Sequence, residues 1–278
     1  MIQSRRTKIF LGIIIAVVIA LVLGFFFVTG SSTVAAQLHV ESGNVMINGE
    51  SASGNAHLSQ GDVIETGSNG FATVILYESV VINLEPDTRI TIDELIESHP
   101  KVSQEKGETW NTFTKLSGVE DYSIHAGNSI ASVRSTAFGI KEGYIIGGEG
   151  ETDYEFQEEM FLVSGGRVVE TVQNQTVKRA ATQEELEKVR EKMERAIEEL
   201  RYIRELEINK KPVLYSLLKS RTGLTDQEIR QSLLDADEGL VDVDEFAEKS
   251  PIKVETIDRV VEITKAIQKI KADISRIQ

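Results

Sequence analysis

The chain contains no cysteine, and it has only four prolines, four histidines and one tryptophan among its 278 residues. Without thiols it can form no disulfide, no cysteine-ligated zinc site and no iron–sulfur cluster, and it has no thiol nucleophile. Basic residues are also in deficit, because 30 Lys and Arg stand against 44 Asp and Glu and the formal net charge is −14. That field repels phosphate backbones, so we expect no nucleic-acid partner.

Groupings of side chains that carry catalysis are missing as well. The four histidines are too dispersed to show metal-ligand spacing: His39, His57, His99 and His125. The sequence has no nucleophile elbow, no phosphate-binding glycine loop and no zinc-binding helix motif. We therefore expect no catalytic residue, no cofactor and no enzymatic activity.

One acidic segment has the composition of a calcium-binding loop. Its candidate ligands are Asp235, Asp237, Asp242 and Glu245. If Gly239 is placed at the sixth position of an EF-hand loop, Leu234 and Ala236 fall on the first and third positions, which need oxygen donors. The sequence therefore favours a solvated acidic loop, and we assign no metal site to it.

The first apolar segment of the chain, residues 9–28, is a run of twenty residues without a charge or a proline. At 1.5 Å of rise per residue, a helix of that length spans the roughly 30 Å hydrocarbon core of a bilayer. The sequence therefore predicts a single transmembrane helix, followed by a linker at residues 29–37.

The orientation of this helix follows from the charges beside it. Three basic residues precede the apolar run, namely Arg5, Arg6 and Lys8, and none follows it closely. The positive-inside rule then places residues 1–8 in the cytoplasm and the bulk of the chain outside it. The alternative is a signal peptide cleaved after the small residues 34–36, but the apolar region of a signal peptide has only about 7–15 residues. Both interpretations export the rest of the chain.

Residues 38–180 alternate short runs of Val, Ile, Thr, Phe and Tyr with clusters of Gly, Asn, Asp and Ser. This pattern is typical of a turn-rich all-β domain. Asn48-Gly49 is a preferred two-residue hairpin turn, because both central positions of a type I′ turn need a positive φ. Residues 80–84 and 89–92 are predicted to form a second hairpin-like pair around a proline-containing turn. The fold class that follows is a β-sandwich or a jelly roll.

A series of sequence blocks in this region resembles the FecR-type domain in order and spacing. The blocks begin at Gly43, Gly61, Gly70, Leu84, Gly107 and Ala131, and residues 161–169 resemble the strand pair that ends the domain. The signature positions are Gly43, Gly61, Asp62, Thr66, Gly67, Trp110, Val133, Arg134, Ser135, Thr136 and Phe138. Ser135 stands where the family usually has glycine, so a positive φ at that position would be strained.

The resemblance implies an exported, non-catalytic β domain behind one membrane span. Iron-siderophore FecR proteins, which this region is similar to, sense an outer-membrane transporter and regulate a sigma factor through a cytoplasmic segment. Residues 1–8 are too short to fold or to grip a sigma factor, so we do not expect the anti-sigma role to carry over. FecR-type domains also occur in envelope proteins of unknown role, and that looser relationship is the one we expect here.

Residues 182–278 have helical periodicity. Thr182 and Glu185 make a capping box that opens a long helix to about residue 208. Its apolar residues repeat at the spacing of a coiled-coil seam: Leu186, Val189, Met193, Ala196, Leu200 and Ile203. Two short helices are predicted after the proline at 212. A last helix, at residues 254–278, carries a second seam: Val260, Ile263, Ile267, Ile270, Ile274 and Ile277.

The two seams predict an antiparallel helical hairpin within one chain, because their lengths are similar and the segment between them is long enough to return the chain. A helical oligomer is the alternative, since β-branched residues at both seam positions favour more than two strands.

Two functions from different classes fit these features. The first is a binding or signalling module, in which the β domain holds an envelope protein or a glycan while the N-terminal helix fixes it to the membrane. The second is a structural scaffold that assembles copies through the C-terminal seams. An exposed apolar patch on residues 38–180 would favour binding, and exposed helical seams would favour assembly.

Overall fold

A computed structural model describes residues 35–114, 118–133, 136–172, 175–210, 212–245 and 255–277. The predicted transmembrane segment lies outside these residues. In the part of the chain that the structure describes, no helix is long and apolar enough to span a bilayer.

The described residues before position 181 form strands only. In chain order these are β1 (Ala36–Ser42), β2 (Val45–Ile47), β3 (Glu50–Ala52), β4 (Asn55–His57), β5 (Val63–Thr66), β6 (Phe71–Leu76), β7 (Val80–Leu84), β8 (Arg89–Glu94), β9 (Lys101–Lys106), β10 (Thr109–Phe113), β11 (Tyr122–Ala126), β12 (Ser129–Val133), β13 (Thr136–Lys141), β14 (Tyr144–Glu149), β15 (Glu151–Phe156), β16 (Glu159–Ser164), β17 (Arg167–Val172) and β18 (Gln175–Ala180).

These strands make two nine-stranded sheets. Sheet A has the order β18-β17-β14-β13-β10-β7-β6-β1-β4, and sheet B has the order β16-β15-β12-β11-β9-β8-β5-β2-β3. Successive hairpins alternate between the sheets, so both sheets grow in the same direction along the chain. This stepwise order differs from the Greek-key order of a jelly roll. Among the described pairs only β9 and β11 run parallel.

The predicted hairpin of residues 80–84 and 89–92 is wrong. β7 lies in sheet A and pairs with β6 and β10, whereas β8 lies in sheet B and pairs with β5 and β9. The turn between them is a corner at which the chain changes sheet. Thr66 secures it, because its hydroxyl donates to the Glu85 carbonyl at 2.7 Å and accepts the Thr88 N–H at 2.9 Å.

Residues 161–169, which were predicted to form a strand pair, also cross from one sheet to the other. β16 belongs to sheet B and β17 to sheet A. By contrast, the predicted turn at Asn48-Gly49 is confirmed, since the two residues have φ of 53° and 83° and join β2 to β3 with Ile47 opposite Glu50.

The core lies between the two sheets. Its largest fully buried side chains include Phe138 of sheet A and Tyr122 and Tyr154 of sheet B. The buried tyrosine hydroxyls have partners, because Tyr122 donates to the Asn111 side chain at 2.8 Å and Tyr154 shares a hydrogen bond with Ser129 at 2.9 Å.

The C-terminal region is helical, with α1 (Gln183–Asn209), α2 (Pro212–Thr222), α3 (Asp226–Asp237) and α4 (Glu255–Ile274). The predicted capping box at Thr182 and Glu185 is confirmed, and Thr225 with Glu228 makes another at the start of α3. α1 and α4 are antiparallel, since Arg190 of α1 bonds to the chain just after α4 while Arg204 of α1 bonds to Thr264.

The two helical seams pack within one chain, as predicted, but not as a separate closed unit. They share one apolar cluster with the outer face of sheet A. The sheet contributes Ile75, Val81, Trp110, Ala137, Ile146 and Val168, and the helices contribute Val189, Met193, Ile197, Leu200, Ile203, Ile263, Ile267 and Ile270. The arrangement is therefore three layers, sheet B, sheet A and helices, rather than a sandwich beside a coiled coil. It explains why β7 is buried on both of its faces.

Candidate functional site

The long helix α1 is docked on sheet A by a ladder of ion pairs. Three basic residues, about one per turn, reach carboxylates from three different parts of the β domain: Lys188 pairs with Glu108 at 2.6 Å, Lys192 with Glu85 at 2.6 Å and Arg195 with Glu41 at 3.1 Å. This ladder favours the observed position of the helix along the sheet, because a shift by one turn would leave one of the three carboxylates without a basic partner.

The start of α1 is held by Glu185. Its carboxylate accepts the Thr182 N–H at 2.7 Å, the Tyr144 hydroxyl at 2.9 Å and two N–H groups of Arg179 at 2.7 and 2.8 Å. The hydrogen bonds from Arg179, and then the smaller contributions of Thr182 and Tyr144, lower the pKa of Glu185 from 4.5 to about 2. Burial and the Glu185 carboxylate together raise the pKa of Tyr144.

The other end of the helical layer is tied to the β6–β7 turn. Tyr77 and Glu78 both have a positive φ, of 50° and 54°, which costs free energy in residues with a side chain. The buried Glu78 carboxylate accepts hydrogen bonds from Lys210 and Arg259, and Arg259 also donates to the Tyr77 carbonyl at 2.9 Å. The ion pairs thus hold the strained turn against the helices.

The expected solvated acidic loop is wrong for Asp237, which is 1% exposed. Its carboxylate accepts from Arg204 at 2.5 Å and from Arg201 at 2.9 Å. Two guanidinium groups on one carboxylate oppose the binding of a cation there. The residue therefore joins α3 to α1.

The other candidate ligands of that segment are engaged locally. Asp235 accepts from the Gln231 amide at 2.8 Å, and Asp242 accepts the backbone N–H groups of Asp244 and Glu245, both at 3.0 Å. No cluster of three His, Asp or Glu side chains suited to a metal ion occurs among the described residues.

Two of the signature glycines, Gly43 and Gly67, lie where two chain segments approach closely, and the third, Gly61, lies in a turn. Gly43 has a φ of +70°, and a Cβ there would meet the Asn69 carbonyl oxygen at 1.9 Å. The Gly67 N–H donates to the Asn44 carbonyl at 2.8 Å. Gly61 has a φ of +90° in the turn before β5. These positions serve the corners of the sandwich.

The signature polar residues also secure turns. Asp62 accepts the Ser59 N–H at 2.7 Å and an N–H of the Asn48 side chain at 2.8 Å, while Thr66 holds the corner before β8.

The signature aromatic residues are buried on opposite faces of sheet A. Trp110 of β10 lies under α1, with its indole N–H donating to Glu108 at 2.8 Å and the Lys188 ammonium 5.4 Å from the ring centroid. Phe138 of β13 faces the core between the sheets and is 1% exposed.

The signature block from Val133 onward is described only in part. Val133 ends β12 and is 2% exposed. Thr136 begins β13, and Arg134 and Ser135 lie outside the described residues. None of the described signature residues lies on β15 to β18.

The two ends of the sandwich differ in a way that the sequence did not indicate. At the N-terminal end the edge strands β3 and β4 have three residues each, and the Asn55 side chain of β4 donates to the Tyr202 hydroxyl of α1 at 2.8 Å. Short polar strands of this kind, partly covered, are a common protection against edge-to-edge pairing.

At the C-terminal end the edge strands β16 and β18 have six residues each. Four of the eight exposed large apolar side chains among the described residues lie here: Met160 is 63% exposed, Leu162 48%, Val172 48% and Val177 41%. We call β15 to β18 the open end of the sandwich. The signal in the sequence is the run of four apolar residues at 160–163, since a strand of that kind is apolar on both faces.

The architecture is that of a β domain of two nine-stranded sheets with a helical layer over sheet A and exposed apolar residues at one end. Residues 62–155 match the family model described as FecR protein, so the chain contains a FecR domain over those residues. Members of the FecR domain family are generally non-catalytic signalling proteins.

Two crystal structures of a candidate anti-sigma factor from Parabacteroides distasonis, at 2.50 and 1.65 Å resolution, are also similar. Each has 14% sequence identity and a TM-score of 0.39, and each match covers 43% of this chain. The chain spans 59% of the length of those structures. No curated protein matches the chain.

Proposed function

We propose that this protein is a membrane-anchored, extracytoplasmic binding module of the cell envelope, without catalytic activity, whose β domain binds a partner protein. The observation that carries this proposal is the distribution of apolar surface. The helical seams are buried within the chain, with Ile263 and Ile267 both 0% exposed, whereas Met160 and Leu162 of the β domain are open to solvent.

The same distribution weakens the scaffold hypothesis. Assembly through the C-terminal seams needs an apolar stripe that faces other copies. Here the stripes of α1 and α4 face each other and sheet A, and their free energy of burial is already used in the folding of one chain.

The anchoring part of the proposal rests on the sequence alone. Residues 9–28 are long and apolar enough for a span, and the three basic residues before them favour a cytoplasmic N-terminus. A net charge of −14 on the chain also suits an exported domain that does not adhere to anionic lipid.

Topology is tested by adding protease outside intact cells or spheroplasts. We expect loss of everything after about Thr29, followed with an antibody to the C-terminal helices. A protected C-terminus would overturn the orientation. A mature N-terminus at Gln37 in the purified protein would replace the anchor by a cleaved signal peptide.

Binding is tested by photo-crosslinking in native membranes. A photoreactive residue at position 160 or 162 should give crosslinked species, while the same residue at Ala272, exposed on α4, should give none. Equal yields at all three positions would contradict a binding surface on the β domain.

A further inference from the structure

We propose that Met160, Leu162 and the carboxylates around them form the docking surface for an extended segment of a partner protein in which apolar residues alternate with Lys or Arg. We call these residues the acid-flanked patch: Met160, Leu162, Glu151, Asp153, Glu155 and Glu158. The inference rests on the proposed function and names the chemistry of the partner.

The patch is created by the register of β15 and β16. Met160 lies directly opposite Glu155, and Leu162 directly opposite Asp153. Residues directly opposite each other in an antiparallel pair project from the same face. The inward face of the same strand carries Val163, which is fully buried, so Met160 and Leu162 are on the outer face of sheet B. Each apolar side chain thus has a carboxylate as its cross-strand neighbour.

The charges of the patch are not neutralised by the part of the chain that the structure describes. Within the described residues none of its four carboxylates takes part in an ion pair. On sheet A, by contrast, Glu41, Glu85 and Glu108 each face a basic residue of α1. The carboxylates under α1 are therefore paired within the chain, whereas those of the acid-flanked patch are available to a basic partner.

The backbone of β16 also offers hydrogen bonds. The turn at Gln157-Glu158 has two residues with positive φ, of 52° and 69°, and closes on Phe156 opposite Glu159. In such a hairpin Glu159 is hydrogen-bonded to its partner, so the next residue, Met160, directs its N–H and C=O away from β15. Leu162 follows the same rule, and its carbonyl is already taken by Lys178 of β18 at 2.5 Å.

The exposed apolar side chains, the carboxylates and the outward backbone groups of β16 together favour an extended peptide segment as the ligand. The outward N–H and C=O of Met160 can pair with a strand added at the edge. The Lys or Arg side chains of that strand would then lie on the outer face, with their aliphatic stems against Met160 and Leu162 and their charges towards the carboxylates, and its apolar side chains would lie on the inner face of the sheet. A second copy of this chain is disfavoured, because it would bring a further set of carboxylates to the same place. Anionic lipid is repelled for the same reason.

The test uses the full chain in detergent and three fluorescent ten-residue peptides with blocked termini. One alternates Lys and Val, one alternates Glu and Val, and one has the composition of the first with the five Lys and the five Val in separate blocks. Anisotropy should show saturable binding of the alternating Lys peptide and little binding of the other two. Equal binding of the blocked-order peptide would overturn the extended segment, and no saturable binding of the alternating peptide would overturn the docking surface.

Two variants locate the site. Met160→Ser with Leu162→Ser should weaken binding by about tenfold or more, as expected from a loss of roughly 1.4 kcal/mol. The matched control, Val172→Ser with Val177→Ser, changes two exposed apolar residues on sheet A and should leave the affinity unchanged. Equal losses in both variants would overturn the assignment to β16.

A second pair of variants tests the charges. Asp153→Asn with Glu155→Gln should reduce the affinity several-fold and make it less sensitive to salt. Glu50→Gln with Glu142→Gln makes the same change in net charge at exposed positions of β3 and the β13–β14 turn, and should have little effect. Similar losses would show attraction to the overall charge and overturn the patch.

This inference and the proposed function fail separately. If the chain is exported and crosslinks through its β domain but the peptide results are negative, the proposed function stands and the acid-flanked patch is wrong. If the peptides bind as expected and the C-terminus is protected from external protease, the patch stands and the extracytoplasmic role is wrong.

Discussion

Glu78 and Arg259 are 181 positions apart in the chain and form a buried ion pair, with Nη2 of Arg259 3.1 Å from the Glu78 carboxylate. Their side chains are only 5% and 8% exposed. Lys210 shares the same carboxylate. The pair joins the strained β6–β7 turn to the last helix, so the FecR domain and the helical layer are expected to unfold together.

Removal of this carboxylate should be costly. Glu78→Ala removes the buried carboxylate that Lys210 and Arg259 share, so their positive charge is less compensated, although Lys210 still pairs with Glu207. We expect it to lower the free energy of unfolding by about 3–5 kcal/mol. Urea unfolding followed by circular dichroism measures the change. Glu158→Ala is the matched control, because Glu158 also has a positive φ, of 69°, but is exposed and outside any described ion pair. If both variants lose the same free energy of unfolding, the loss comes from the positive φ of the backbone and not from the ion pairs of Glu78.

Phe138 should be indispensable to the core between the sheets. Phe138→Ala leaves a cavity at a position that is 1% exposed, and we expect a loss of about 3–5 kcal/mol. Met160→Ala removes another large apolar side chain from an exposed strand position and should change stability by less than about 0.5 kcal/mol. A small effect at Phe138 would mean that the sheets do not pack as described.

The helical seams predict a monomer. A fragment of residues 35–278 should sediment as one chain at micromolar concentration. Ile267→Asp places a charge in the cluster under α1, so the helices should leave sheet A and the protein should aggregate. Ala272→Asp, on the exposed side of α4, should remain monomeric. If Ile267→Asp instead converts an oligomer into folded monomers, the seams join copies and not layers of one chain.

Acid should loosen the start of α1 through Glu185. Its pKa in the folded protein, about 2, lies below the unfolded value of 4.5, so its stabilising effect is complete above about pH 4.5 and is lost as the pH falls towards 2. Trp110 is the sole tryptophan and lies under α1, so its fluorescence reports the docking of this helix. We expect an acid transition in this range that is smaller in Glu185→Gln. An identical transition in the variant would assign it to other carboxylates.

The features that the sequence predicted correctly are those decided by neighbours in the chain. The capping box joins Thr182 to Glu185, and the turn at Asn48-Gly49 needs only two residues that tolerate a positive φ. The strand-rich region and the helical seams could also be predicted, because the alternation of apolar residues in strands and their 3,4 spacing in helices depend on local geometry.

The pairing of strands could not be predicted from the sequence in the same way. The alternation in β8 shows which of its side chains face inward, but nothing in β7 or β8 shows that these two strands belong to different sheets. The helical layer over sheet A is only weakly indicated by the sequence, through the strand Val80–Leu84, in which four of the five residues are apolar. In the structure this strand is buried throughout. A run of that kind indicates that both faces of the strand are buried, but not which elements pack against them.

The sequence by itself therefore determined the element types, their caps and turns, and the resemblance to the FecR domain. Only the tertiary structure decided which acidic groups are neutralised. Asp237 is buried because Arg204, 33 positions earlier, reaches it across the helical layer. Asp153 and Glu155 lie on the outer face of sheet B, where no described ion pair reaches them, because the helices cover sheet A instead. The physical reason is that burial and ion pairing depend on contacts between distant parts of the chain, which local patterns of residues do not encode.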